Sequence, residues 1–248
     1  MKKLIVLLLF IVLAFGGCIY VISLFNWKKT FGIEKVTTDL DQKLGDVFWE
    51  SYSADMVEVK DDKVILPIIK MVDQLCSENG IKSSSIKVHV VNNKEINAFA
   101  MPGRHLVVHT GLIQFADHQE EIAGVVAHEI AHIESGHVVK KLGKEIGLSI
   151  LMNLTLGDIG GEVVRNALST ITSTAYDRSL EKEADLKAVD YMIAAKMNPT
   201  YLASFLEKLD KQSQTPEVLQ WVSTHPDSKE RVSYINQKVK SISPKAVE

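Results

Sequence analysis

The stretch VVAHEIAHIESGH, residues 125–137, places three histidines and two glutamates in an otherwise apolar, helix-forming run. Burying so many ionisable groups is costly unless something pairs with them. Ile122, Val125, Val126, Ile130 and Ile133 supply apolar positions at helical spacing. Asp117 stands three residues before Glu120, the spacing of a capping box, so the helix is expected to start there. It is expected to continue through GHVVKKLGKE, with basic residues near its end as the macrodipole favours.

Within the stretch, HEIAH is His128-Glu129-Ile130-Ala131-His132. Helix positions four apart are offset by ~40°, so both imidazoles leave one face a single turn apart. Two nitrogens placed so can reach one zinc ion at ~2.0–2.1 Å. Glu129 then lies beside the metal, where a carboxylate can take a proton from water. A catalytic zinc needs a third protein ligand and an open fourth position. His137, nine residues after His128, is expected on roughly the opposite helix face and is rejected as that ligand. The longer metzincin pattern is excluded as well, because Ser135 and Val138 stand where it needs glycine and histidine.

The missing ligand is sought in YDRSLEKEADLKA, residues 176–188. Glu181 and Asp185 are four apart and share a helix face with Ala184 and Ala188, small enough for two helices to approach closely. Glu181 is assigned as third ligand and Asp185 as acceptor for the N–H of a ligand imidazole. Glu183 points roughly the other way.

Around these helices the chain reads as α+β. An amphipathic helix is expected from Val64 to Asn79. IKVHVV (86–91), INAFAMPG (96–103) and RHLVVHT (104–110) read as short strands, the last two joined at Pro102-Gly103. A small sheet followed by a helical remainder makes one domain, taken as residues 61–248. His105 and His109 share a strand face ~13 Å apart, too far to chelate one ion. The apolar, then glycine-rich run 146–161 reads as a core helix and loop, or as a lid.

The N-terminus differs. Leu4 to Trp27 carries no charge and is flanked by lysine pairs, long enough for a helix across a ~30 Å bilayer core. Residues 1–27 are read as a transmembrane anchor, with residues 28–60 a juxtamembrane segment. The alternative is lipoprotein processing, with AFGGC as the cleavage site and Cys18 lipidated. With Lys2 and Lys3 cytoplasmic, the rest of the chain lies outside the cytoplasm. Two cysteines, Cys18 and Cys76, can form neither a disulfide framework nor a cysteine metal site. A net charge of -3 over 248 residues gives no reason to expect nucleic acid as partner.

Four features in order carry a resemblance: NAFAMPGRHLVVHTGLI (97–113), HEIAHIESGH (128–137), YDRSLEKEAD (176–185) and STHPDSKER (223–231). The sequence resembles the M48 family of zinc metallopeptidases, the group that includes membrane-associated envelope quality-control proteases. Asp177 departs from the serine usual there, at a position that is no ligand. The resemblance implies a mainly helical, gluzincin-type fold, one Zn2+ held by His128, His132 and Glu181, and Glu129 as base. His225 would be a fourth, displaceable ligand or a catalytic group. Pro226 suits a first helical turn, so His225 is expected at a helix N-terminus. The function expected is a membrane-anchored zinc endopeptidase of the cell envelope, its domain extracytoplasmic and its substrates misfolded or unassembled proteins. A non-cleaving zinc-bound chaperone or adaptor, closed by His225, is the alternative.

Overall fold

The computed structural model of the protein describes residues 33–147, 161–212, 215–226 and 228–242, with positions 150 and 153 besides. The expected anchor at 1–27, Cys18 and most of the 146–161 run lie outside the described residues. Among the described residues, no helix is long and apolar enough to cross a membrane. Residues from Asp41 onward form one compact unit.

Three strands form the sheet: β1 (Lys87–Val91), β2 (Ala98–Met101) and β3 (His105–His109). β3 is central, parallel to β1 and antiparallel to β2. Between β2 and β3 the chain turns through Pro102–Arg104, where Gly103 takes φ 70° and supplies the left-handed conformation cheaply. The period of two sends Val90, Ala98, Leu106 and Val108 into the main core. The opposite face carries His89, Phe99, His105 and His109. Helix α1 (Ile33–Ser53) covers it with Leu44, Phe48 and Tyr52, all buried. A Cβ at Gly45 would stand 2.4 Å from the Pro102 carbonyl oxygen, so only glycine lets α1 approach that turn so closely.

Helix α2 (Asp62–Glu78) is started by Asp61, whose side chain accepts from the Lys63 amide. It buries Ile68, Met71, Val72, Leu75 and Cys76, one stripe at helical spacing. After the short α3 (Thr110–Phe115) comes α4 (Gln119–Glu134), the buried axis of the domain. Its neighbours are β2, α2, α7 (Arg178–Ala194) and α8 (Thr200–Lys211). α5 (His137–Glu145), α6 (Gly161–Ser173), α9 (Pro216–Thr224) and α10 (Ser228–Ile242) complete the order.

Two expectations about α4 need correction. It begins at Gln119, and Asp117 does not cap it. Glu121 instead reaches back to accept from the Asp117 amide at 2.8 Å, while the Asp117 carboxylate pairs with Lys208. Nor does the helix run through to Glu145. Gly136 adopts φ 63°, ψ 28°, which ends α4, and α5 departs in a new direction.

Candidate metal centre and catalytic site

α4 and α7 pack side by side, with Ala184 and Ala188 fully buried between them. Close approach sets His128 and His132 of α4 opposite Glu181 and Asp185 of α7. The Nε2 atoms of His128 and His132 lie 3.0 Å apart. Glu181 Oε1 is 3.2 Å from His132 Nε2, and Glu181 Oε2 is 3.6 Å from His128 Nε2. His225 adds Nδ1, 2.9 Å from Glu181 Oε1 and 3.3 Å from His128 Nε2. These four buried residues each offer one donor atom within 4.8 Å of the others.

The donor set fits a zinc ion. A tetrahedral ion bound at ~2.0–2.1 Å has donor–donor edges of ~3.3 Å, the scale of the spacings here. His128 Nδ1 meets the Asp185 carboxylate at 2.8 Å. A carboxylate only accepts, so this contact, close though it lacks hydrogen-bond geometry, favours the N–H of neutral His128 on Nδ1, which leaves Nε2 as a lone pair. That lone pair faces the Glu181 carboxylate and two other imidazoles, a donor set that a cation would satisfy.

Charge in the site is set by burial and by one arginine. Burial pushes His128 below its ordinary value and His132 and His225 down to about 4. Burial works against ionised Glu181, yet His225, Arg231 and His128 together hold it well below the usual carboxylate range. Asp185 is likewise held low against burial, by Arg231 and His128. Arg231 grips Asp185 with Nε and Nη2, both at 2.8 Å, and reaches Glu181 Oε2 with Nη1 at 2.9 Å. The expectations for STHPDSKER gave Arg231 no role. Its charge, deep in a helical core, was the available signal: a buried guanidinium needs carboxylates.

Glu129 points from α4 towards β2. Its Oε2 accepts from the Ala100 amide at 2.9 Å, while Oε1 has no hydrogen-bond partner and faces His225 Nε2 at 3.6 Å. Burial, then the nearby Glu181, push its pKa well above the ordinary value. Among the described residues β2 is an edge strand, and its outer rim runs beside Glu129.

His225 does not sit at a helix N-terminus. It is the C-cap of α9, its amide bonded to Trp221 O at 2.8 Å, because Pro226 interrupts the chain before α10 begins at Ser228. Its ring stacks on Trp221 at 4.5 Å and on Tyr176 at 5.6 Å. Tyr176 also lies 4.1 Å from the His132 ring and under Lys141 Nζ, which donates to the carbonyls of Ile171 and Thr174. Burial lowers Lys141 to about 8.

His137 is not among the four donors, but neither does it face away. The break at Gly136 turns its ring back onto His132, with Nδ1 to Nδ1 at 3.0 Å. Glu183 turns with it, its Oε2 3.5 Å from His137 Nε2. Of the four remaining histidines, His89, His105 and His109 lie behind the sheet, apart from the donors, and His118 is the N-cap of α4.

Comparison with known families matches residues 67–239, well over half of the chain, to Peptidase family M48. The chain belongs to that family. Among curated relatives, it is 26% identical to the mitochondrial metalloendopeptidase OMA1 of Schizosaccharomyces pombe, over 69% of this chain and 52% of that protein. It is 28% identical to the human mitochondrial metalloendopeptidase OMA1, over 77% of this chain and 40% of that protein. It is 24% identical to the beta-barrel assembly-enhancing protease of Yersinia pestis, over 84% of this chain and 46% of that protein. The chain thus matches about half or less of the length of these M48 relatives.

Proposed function

We propose that this M48 protein is a membrane-anchored zinc endopeptidase. Its zinc ligands would be His128, His132 and Glu181, with Asp185 orienting His128. The observation that carries the reading is the convergence of bare donor atoms beside a buried carboxylate with one free oxygen. Zinc bound there would acidify water and polarise a carbonyl oxygen. The residues of the chain do the rest. Glu129 takes a proton on Oε1 and returns it to the leaving amine, while the Ala100 amide fixes its other oxygen. An extended peptide adds to the rim of β2 through backbone hydrogen bonds, which reads side chains weakly and suits unfolded substrates. His225, once clear of the donor set, turns a donor nitrogen toward the reacting carbonyl.

The envelope setting rests on the apolar segment at 1–27 and on the names of the relatives. In this reading the metallopeptidase domain, from residue 61, lies outside the cytoplasm, and its substrates are misfolded or unassembled envelope proteins. Anchoring through lipidated Cys18 is tested by mass spectrometry of the mature N-terminus.

The experiment is a Glu129→Gln protein. It should keep one zinc per chain by metal analysis and lose casein cleavage by about 10²–10⁴-fold. Cleavage at the wild-type rate would end the assignment of Glu129 as base. The closeness of His225 Nδ1 to Glu181 and His128 favours a second reading, a non-cleaving chaperone or adaptor whose fourth position is filled. That reading stands if neither wild type nor His225→Ala cleaves any protein while both bind zinc.

A further inference from the structure

We propose that His137 is a positioning residue for His132, and that Glu183 sets the tautomer in which it acts. The inference rests on the reading above, in which His132 presents Nε2 to a metal.

A neutral imidazole carries one N–H. If Nε2 of His132 is a lone pair, its proton is on Nδ1. The atom facing that proton is His137 Nδ1, 3.0 Å away. His137 must then accept there and carry its own proton on Nε2. That nitrogen is buried and has no hydrogen bond; the nearest acceptor is Glu183 Oε2 at 3.5 Å. The other oxygen of Glu183 accepts from Lys187 Nζ at 2.8 Å, and the same ammonium donates to Ser135 Oγ at 2.8 Å. Ser135 caps α4, so the carboxylate is tied to the helix break that turns His137 inward.

The result is a directed chain: His132 Nδ1–H to His137 Nδ1, then His137 Nε2–H towards Glu183. It mirrors the direct contact of Asp185 with His128 Nδ1. One helix, α7, thereby backs both histidines of α4, the first directly and the second through an inserted ring. Glu183 lies two residues from Glu181, which lets it pass behind His132 while Glu181 meets its front. Left-handed Gly136 is what brings the ring into place.

The test uses the full chain and zinc, measured by chelator competition. His137→Leu keeps bulk and removes the acceptor, and should weaken zinc about 10- to 100-fold, as loss of an outer partner of a ligand does. His137→Asn places an oxygen where Nδ1 stood and should recover most of that loss. A mere packing role gives the opposite order, Leu tolerated and Asn not, and would overturn the proposal. If the Leu protein does not fold, the Asn protein and a second measurement decide. Long-range proton–nitrogen NMR of the zinc-loaded wild type should show His137 as the Nε2–H tautomer, shifting to a mixture in Glu183→Gln. An Nδ1–H signal in wild type would overturn it equally. Wild type without zinc affinity would sink the metal reading, whereas wild-type affinity in His137→Leu would sink this inference alone.

Discussion

Two groups of histidines sit in this fold, and their polarity separates them. Behind the sheet, Lys87 Nζ lies 3.2 Å from His105 Nε2, His105 Nδ1 lies 3.0 Å from His89 Nε2, and His89 Nδ1 lies 2.9 Å from Glu58. A cation at one end and a carboxylate at the other orient every bond in one direction. The two rings are within 12° of coplanar, as an in-plane N–H···N bond requires, and Trp49 stacks on His89 at 3.5 Å. In the cleft between α4 and α7, the rings of His128 and His132 meet at 74°, with bare nitrogens converging. The first group is a completed hydrogen-bond chain. The second brings together donor atoms that could hold a cation. What differs is whether each N–H has an acceptor and each lone pair a donor.

The strongest way to break this contrast is to remove one ring from each group. His132→Ala should abolish zinc binding and casein cleavage together, while His89→Gln should leave zinc stoichiometry and cleavage as in wild type. Metal analysis and a cleavage assay on the pair decide, and zinc loss in His89→Gln would mean that the two groups are not independent.

Next in size is the arginine that only the cleft requires. Arg231→Met leaves Asp185 and Glu181 buried without their cation, and should cost about 3–5 kcal/mol in urea unfolding. A cost near zero would show that the carboxylates are neutral or solvated.

The smallest effect sharpens the other side. Burial holds His109 at about 4, and its Nε2 lies 2.9 Å from the Tyr52 hydroxyl. A histidine depressed in the fold contributes its full stability above the ordinary value near ~6.5. As pH falls from there to about 4, the unfolded chain takes a proton that the folded one refuses, and stability is lost; below that the effect levels off. The loss should be on the order of 1–3 kcal/mol. Melting curves across that window should flatten in His109→Gln, and an unchanged slope would place the acid sensitivity elsewhere.

The contrast also marks what a sequence can disclose. His128, His132, Glu181 and Asp185 were legible because each pair lies on one helix, where a spacing of four fixes a shared face. The strands were legible from alternation and the Pro102-Gly103 turn. A uniform helix through Gly136 would set His137 on the opposite face, and one left-handed residue redirects everything after it. His225 was given the wrong helix end because Pro226 reads equally as a start or an interruption. Arg231 and the seat of α1 behind the sheet depend on contacts between distant segments, which no local period encodes.

The bond from the Ala100 amide to Glu129 has one more consequence. The donor belongs to the main chain, so it is indifferent to what side chain stands at position 100. Only proline would lack the donor itself, although fully buried Ala100 leaves little room for a larger side chain. The aim of Glu129 is therefore set by the backbone of β2 and not by a side chain. The four residues of β2 are all buried, so core packing, and not the tether, restricts which side chains can stand along that strand.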